Sequence, residues 1–220
     1  FNGYLDDYAN VLDGLTRLFE ATGRERWVRA AVALARTMID QFADAETGGF
    51  FYTGIDHEPL IVRQKEFIDN ATPASNAMAA TALLRLGALT GKEELAAPGR
   101  LALRAASGIL RQYPTAAGQS LIALDFLLAT PREITIVAGT NAGEFRAVME
   151  ALAERYLPNV VVVPAPGPGP VPPELTTLVP LLANRTARDG RTTSYICERS
   201  SCQPPVLGVA DLEAALNALR

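Results

Sequence analysis

The chain has only two cysteines, one histidine and one tryptophan among its 220 residues. Two cysteines cannot build the disulfide framework of a small secreted domain, nor an all-cysteine zinc site. A single histidine, with no acidic ligand cluster, argues against a transition-metal centre. Long hydrophobic runs are also missing. The longest, such as Val160 to Val163, have the length of a strand, whereas a membrane helix needs about 20 apolar residues. Positive charge is not in excess: a formal net charge of -4 supplies no attraction for nucleic acid or an anionic membrane. The chain opens on Phe1 and soon enters an amphipathic helix, with neither a starting Met nor a signal-peptide pattern. These absences predict a cytoplasmic protein that takes no cofactor, nucleic acid or membrane as partner, and they read as a fragment of something longer. What is present is apolar: 49% hydrophobic residues suffice for one large domain or two small ones.

Apolar residues recur at helical spacing from Leu5 to about Thr130. Leu5, Tyr8, Leu12, Leu15 and Phe19 form one stripe; Trp27, Ala31, Leu34, Met38 and Phe42 form a second. Gly23, in "ATGRER" between them, is placed as the residue that ends the first helix. Ala79, Ala82, Leu83, Leu86 and Leu89 make a third stripe ending at "TGKEE", so helix, Thr-Gly turn, helix reads as a repeated unit. Further helices are expected from Pro98, tolerated in a first turn, to Tyr113, and from Ala117 to Ala129.

At Pro131 the pattern changes. "EITIV" (residues 133–137) reads as a buried strand. Asn141 and Glu144 resemble a capping box opening a helix through Phe145, Val148, Met149, Leu152 and Tyr156. "NVVVVP" completes a βαβ unit with a parallel strand pair. The Pro/Gly-rich stretch 164–173 excludes helix and central strand and reads as a surface linker. "TSYIC" is a third strand and "VADLEAALNALR" a final amphipathic helix. The fold class expected is mainly α over residues 1–130, followed by a small α/β subdomain over 131–220.

"GYLDDYA" at a helix start, "GGFFYT", "LIVRQKEFIDNATPASNAMAA" and the closing "SYICERSSCQPP" together resemble the YyaL/spermatogenesis-associated protein family. In that family a thioredoxin-like domain precedes a six-hairpin α/α toroid, and the resemblance spans essentially this whole chain. Where a Pro-Ser-x-Asn-Ser pattern is expected, this chain has Pro73, Ala74, Ser75, Asn76 and Ala77, two hydroxyls fewer. The fold relatives implied are sugar epimerases and six-hairpin glycosidases, whose sites lie in the funnel between inner helices and their loops. The resemblance therefore implies part of an (α/α)6 toroid and a carbohydrate ligand. The partner implied is the N-terminal thioredoxin-like and hairpin portion of the same protein, or a second copy that closes the ring.

The connection from Gly48 to Asn76 is far longer than the few residues that usually join two helices, which marks it as functional. On a toroid it would form the rim. Gly48 and Gly49 permit a tight turn after which Phe50, Phe51 and Tyr52 can line a cavity, and "PLIVRQKEFI" alternates like a β-hairpin arm. Candidate carboxylates are Asp6, Asp7 and Asp69, with Glu66 an alternative partner, because sugar hydrolysis uses two carboxylates flanking the scissile bond. Asp6 and Asp7 are adjacent and point about 100° apart, so only one can face a substrate. Asp69 also suits a helix start. Candidate substrate-binding residues are Tyr4, Tyr52, Arg63, Lys65, Glu66 and Asn76. Epimerase chemistry is disfavoured because His57, in the polar stretch "IDHEP", is the only histidine; an exposed surface position is expected for it.

Cys197 and Cys202 have four residues between them, unlike a Cys-x-x-Cys pair, yet a strand followed by a turn would bring them within disulfide reach. A structural role stands beside a redox role in exchange with the thioredoxin-like domain the resemblance implies. "AGTNAG" lacks the signatures of a nucleotide site. Two functions follow as expectations: a glycosidase-like hydrolase acting through carboxylates, or a non-catalytic module that binds or scaffolds for the attached thioredoxin-like domain.

Overall fold

The computed structural model describes residues 2–129, 131–198 and 201–218. It is mainly α with a smaller α/β part, and it divides into two compact units. The first comprises Phe1–Arg17, Trp27–Ala88 and Lys92–Ala129; the second comprises Leu18–Arg26, Leu89–Gly91 and Thr130–Arg220.

Helices α1 (Leu5–Thr22) and α2 (Glu25–Phe42) follow their apolar stripes. Leu5, Leu12, Phe19, Met38 and Phe42 are buried, while Tyr8, Leu15, Trp27 and Leu34 are half-buried. Gly23 adopts φ 64° and donates its N–H to the Phe19 carbonyl at 2.7 Å, closing α1 as expected. Helix α3 (Ser75–Thr90) is buried on almost every side, as its largely apolar, alanine-rich sequence favours. Gly87 on α3 lets the next helix approach closely, since a Cβ there would lie 2.7 Å from the Ala96 Cβ.

The region expected to be one helix from Pro98 is different. Helix α4 spans Glu93–Ala105, so Pro98 lies inside it, and a separate short α5 (Ser107–Gln112) follows. Two acids in the first turn of α4, Glu93 and Glu94, favour the earlier start through the helix dipole. Proline removes one backbone donor but leaves the rest of the helix intact. Helix α6 (Gly118–Leu128) ends the helical region.

In the second unit, strands β1 (Arg132–Val137) and β2 (Val160–Ala165) pair in parallel around helix α7 (Ala142–Ala153), the expected βαβ arrangement. Strand β3 (Thr193–Glu198) lies antiparallel on the other side of β1. Short β4 (Ser201–Cys202) and β5 (Val206–Leu207) both pair with β3, and helix α9 (Gly208–Ala218) follows. Pro164 and Ala165 belong to β2 and are buried, so the linker begins two residues later than the composition suggested, before the six-residue helix α8 (Pro173–Leu178). A proline is tolerated there because β2 is an edge strand. Its Val162 N–H, facing away from β1, donates to the buried Glu20 carboxylate at 3.1 Å. Tyr156 lies beyond the end of α7 and is 90% exposed, so it is not part of the helix's apolar stripe.

Ile134, Ile136 and Ile196 from the sheet pack with Val148 and Leu152 of α7 and with Leu212 and Leu216 of α9 as one core. Leu212 is fully buried within it. Replacing Leu212 with Ala should lower the stability of the α/β unit by about 2–5 kcal/mol, the usual cost of a core cavity. Urea denaturation followed by far-UV circular dichroism checks this; an unchanged midpoint would contradict the assigned core.

Candidate functional site

The candidate residues of the long loop and of the α1 start all lie in the helical unit. The expected β-hairpin arm does not form: residues 51–74 have no strand, and Leu60, Ile61 and Val62 are exposed. Side chains and scattered backbone bonds, such as the Tyr52 N–H to the Gln64 carbonyl at 2.7 Å, satisfy this backbone in place of a strand ladder.

Asn76 faces Phe50 as a strand neighbour would, its Oδ1 accepting from the Phe50 N–H at 2.7 Å and its Nδ2 donating to the Phe50 carbonyl at 2.9 Å. Both residues are buried, so Phe50 belongs to the core and lines no cavity. Gly49, at φ 75°, brings the backbone so close that a Cβ would sit 2.9 Å from Asn76 Oδ1. Lys65 donates to Asp44 at 2.6 Å, Thr47 at 2.7 Å and the Gly48 carbonyl at 2.5 Å. The Lys65 bond first, then those from the Thr47 hydroxyl at 2.6 Å and the Glu46 N–H at 2.9 Å, hold the Asp44 carboxyl well below the usual carboxylate range. Arg63 lies over the Phe51 ring, 4.2 Å from its centroid, and donates to the carbonyls of Thr53 and Gln41.

Asp69 uses both oxygens. Oδ1 accepts from the Ala74 N–H at 2.8 Å, just ahead of α3, and Oδ2 from the Gln119 N–H at 2.9 Å in the first turn of α6. Its own N–H donates to the Ala116 carbonyl at 2.8 Å. One carboxylate thus ties the loop to two helix starts, of which the sequence suggested one.

Asp7 is exposed and accepts from the Tyr4 N–H at 2.9 Å, the third-residue half of a capping box for α1. Asp6 points elsewhere. It is half-buried, accepts from the Asp7 N–H at 3.1 Å, and its charge acts on the Tyr52 phenol. Burial first, then the charges of Asp6, Glu66 and Asp7, push the Tyr52 phenol up. The Tyr52 ring stacks on Tyr4, centroids 5.0 Å apart and planes 17° apart, and His57 lies 5.2 Å from Tyr4 on the same cluster. His57 is not the surface residue expected: its side chain is 13% exposed, with Nδ1 accepting from the Gly54 N–H at 3.1 Å. The turn 54–57 folds its ring inward, which the polar composition of "IDHEP" concealed.

The cluster therefore offers two stacked phenols under the charges of Asp6, Glu66 and Asp7. Among the described residues, no group of three or more metal-ligand side chains converges. No helix of the described residues is long and apolar enough to cross a membrane.

Two stability consequences follow from the loop. Asp69→Ala leaves two helix starts uncapped and should cost about 2 kcal/mol, at about 1 kcal/mol per lost cap; thermal unfolding checks it. Asp44 has a lowered carboxyl pKa in the folded chain, so its ion pair with Lys65 stabilises fully above the unfolded carboxylate range and is lost progressively as pH falls below that range through the depressed folded value. The stability difference between wild type and Lys65→Met should thus be full near neutrality and shrink below about pH 4. A difference independent of pH would show that the lysine acts through packing alone.

No family model matches the chain. It is 30% identical over 216 residues to human spermatogenesis-associated protein 20, covering 98% of this chain and 27% of that protein. The rat protein of the same name is 31% identical over the same share of each chain. An uncharacterised protein of Caenorhabditis elegans is 25% identical over 215 residues, 97% of this chain and 28% of its own length. The chain is thus a homologue of the C-terminal part of spermatogenesis-associated protein 20 and spans about a quarter of the length of the curated relatives it matches.

Proposed function

We propose that the helical unit is part of a six-hairpin α/α toroid whose rim binds carbohydrate at Tyr4 and Tyr52. The observation that carries this reading is the stacked tyrosine pair under the charges of Asp6, Glu66 and Asp7. An aromatic face packs against the C–H face of a sugar ring, and flanking carboxylates accept hydrogen bonds from its hydroxyls. Arg63, Lys65, Asp69 and Asn76 serve this rim indirectly by holding the loop in shape. Exposed apolar side chains of the helical unit, such as Val11, Leu101 and Ile122, are faces that further hairpins of the same protein would cover.

Binding without catalysis is the reading favoured here. Asp69 and Asp7 are engaged with backbone donors, which supports a structural role for them over a catalytic one. It leaves a module that presents a ligand or client to the rest of a longer protein. Hydrolysis is a second reading, and the joint influence of Asp6 and Glu66 on one phenol favours it. In glycosidases such carboxylates stand about 5–9.5 Å apart.

Isothermal titration of the chain, and of a full-length relative, against a panel of neutral mono- and oligosaccharides tests both. Saturable binding weakened about five- to tenfold by Tyr52→Ala is expected, since loss of a stacking aromatic costs on the order of 1–1.5 kcal/mol. Absence of binding to every member of the panel would overturn the proposal. Release of reducing sugar that Asp6→Asn and Glu66→Gln each abolish would move the reading from binding to hydrolysis.

A further inference from the structure

In the α/β unit, three observations meet at one edge of the sheet. Cys197, near the end of β3, is disulfide-bonded to Cys202 in β4, its direct cross-strand neighbour. The two are unequally accessible: Cys197 is 4% exposed, whereas Cys202 lies on the surface. Arg185 reaches both sulfurs, its Nη2 lying 3.0 Å from Cys202 Sγ and 3.3 Å from Cys197 Sγ.

The guanidinium is held there by the Tyr195 ring, 4.6 Å from the centroid. Its Nε–H is buried and has no acceptor among the described residues. The charge of Arg185 acts on Glu133, the register partner of Cys197 on β1, whose carboxyl burial pushes up. A disulfide sulfur is a weak, neutral acceptor, whereas a thiolate is an anion that a neighbouring guanidinium stabilises. Arg185 is therefore better matched to the reduced pair than to the oxidised one.

We propose that Cys197–Cys202 is a thiol–disulfide exchange site served by a dithiol reductant, with Arg185 as the positioning residue for the leaving thiolate. A thiolate of the dithiol attacks the exposed Cys202 Sγ. A sulfur–sulfur bond forms to Cys202, the bond to Cys197 breaks, and its electron pair leaves on Cys197 Sγ, which accepts from Arg185. The reductant's second thiolate then attacks its own sulfur in the mixed disulfide, closes the reductant's disulfide and releases Cys202. Two electrons pass from the dithiol to the cysteine pair, and solvent carries the two protons. The reduced form loses the covalent tie of β4, whose pairing with β3 is only two residues long.

The intact chain tests this in two ways. With glutathione as a monothiol probe, acid quenching, alkylation of free thiols and peptide mass mapping should place the glutathione adduct on Cys202 and the alkyl group on Cys197. Reduction by dithiothreitol at neutral pH should be about tenfold slower in Arg185→Gln and largely retained in Arg185→Lys, because a leaving thiolate of lower pKa departs faster. Melting of the oxidised variants shows whether the fold is kept; if Arg185→Gln unfolds, the Lys variant and the adduct map still decide. Glutathione on Cys197 or shared equally, or a reduction rate in folded Arg185→Gln equal to wild type, would overturn the proposal.

Discussion

The bidentate use of Asp69 is the constraint on which the helical unit's long connection depends. Nearly thirty residues without regular structure would ordinarily leave many buried backbone donors and acceptors unpaired. Asp69 anchors the end of this segment by giving one oxygen to the approach to α3 and the other to the first turn of α6. Once that end is fixed, Asn76 can pair with Phe50, and Phe50 can enter the core. Lys65 closes the other side of the loop on Asp44 and Gly48. The stacked tyrosines belong to the same arrangement, with the Tyr52 N–H donating to the Gln64 carbonyl at 2.7 Å.

A comparable economy operates in the α/β unit. Asn141 caps α7 through Gly143 and Glu144, as the sequence suggested, but Glu144 does not complete the capping box. Its carboxylate turns to the Thr192 N–H at 2.7 Å and to Arg191, and these bonds, the backbone donor first, hold it below the usual glutamate range. The start of α7 is thereby joined to the start of β3. In both units a single carboxylate links segments far apart in sequence, and such a group is worth more to the fold than its own helix would suggest.

Helices α1, α2 and α3 were legible because their apolar stripes have the period of the helix and Thr-Gly pairs punctuate them. The three main strands were legible as short β-branched runs between turn residues. The loop misled because alternation in "PLIVRQKEFI" is a necessary sign of a strand but not a sufficient one: without a partner strand, Arg63 and Lys65 bond elsewhere and Ile61 and Val62 remain in solvent. His57 was misplaced because local polarity does not reveal which way a turn folds. Pro98 suggested a helix start that acidic Glu93 and Glu94 set earlier.

By itself the sequence determined the elements that are written in local chemistry: the helical repeat, the βαβ unit and the turn at Gly48 and Gly49. Only the tertiary structure decided what those groups touch. Asp69 was spent on two helices, the charge of Asp6 came to act on the Tyr52 phenol, Tyr52 stacked on Tyr4, and Arg185 came to rest on a disulfide. The physical reason is range: propensity and periodicity act within a few residues, whereas hydrogen bonds and ring contacts between distant segments depend on distances that no linear pattern encodes.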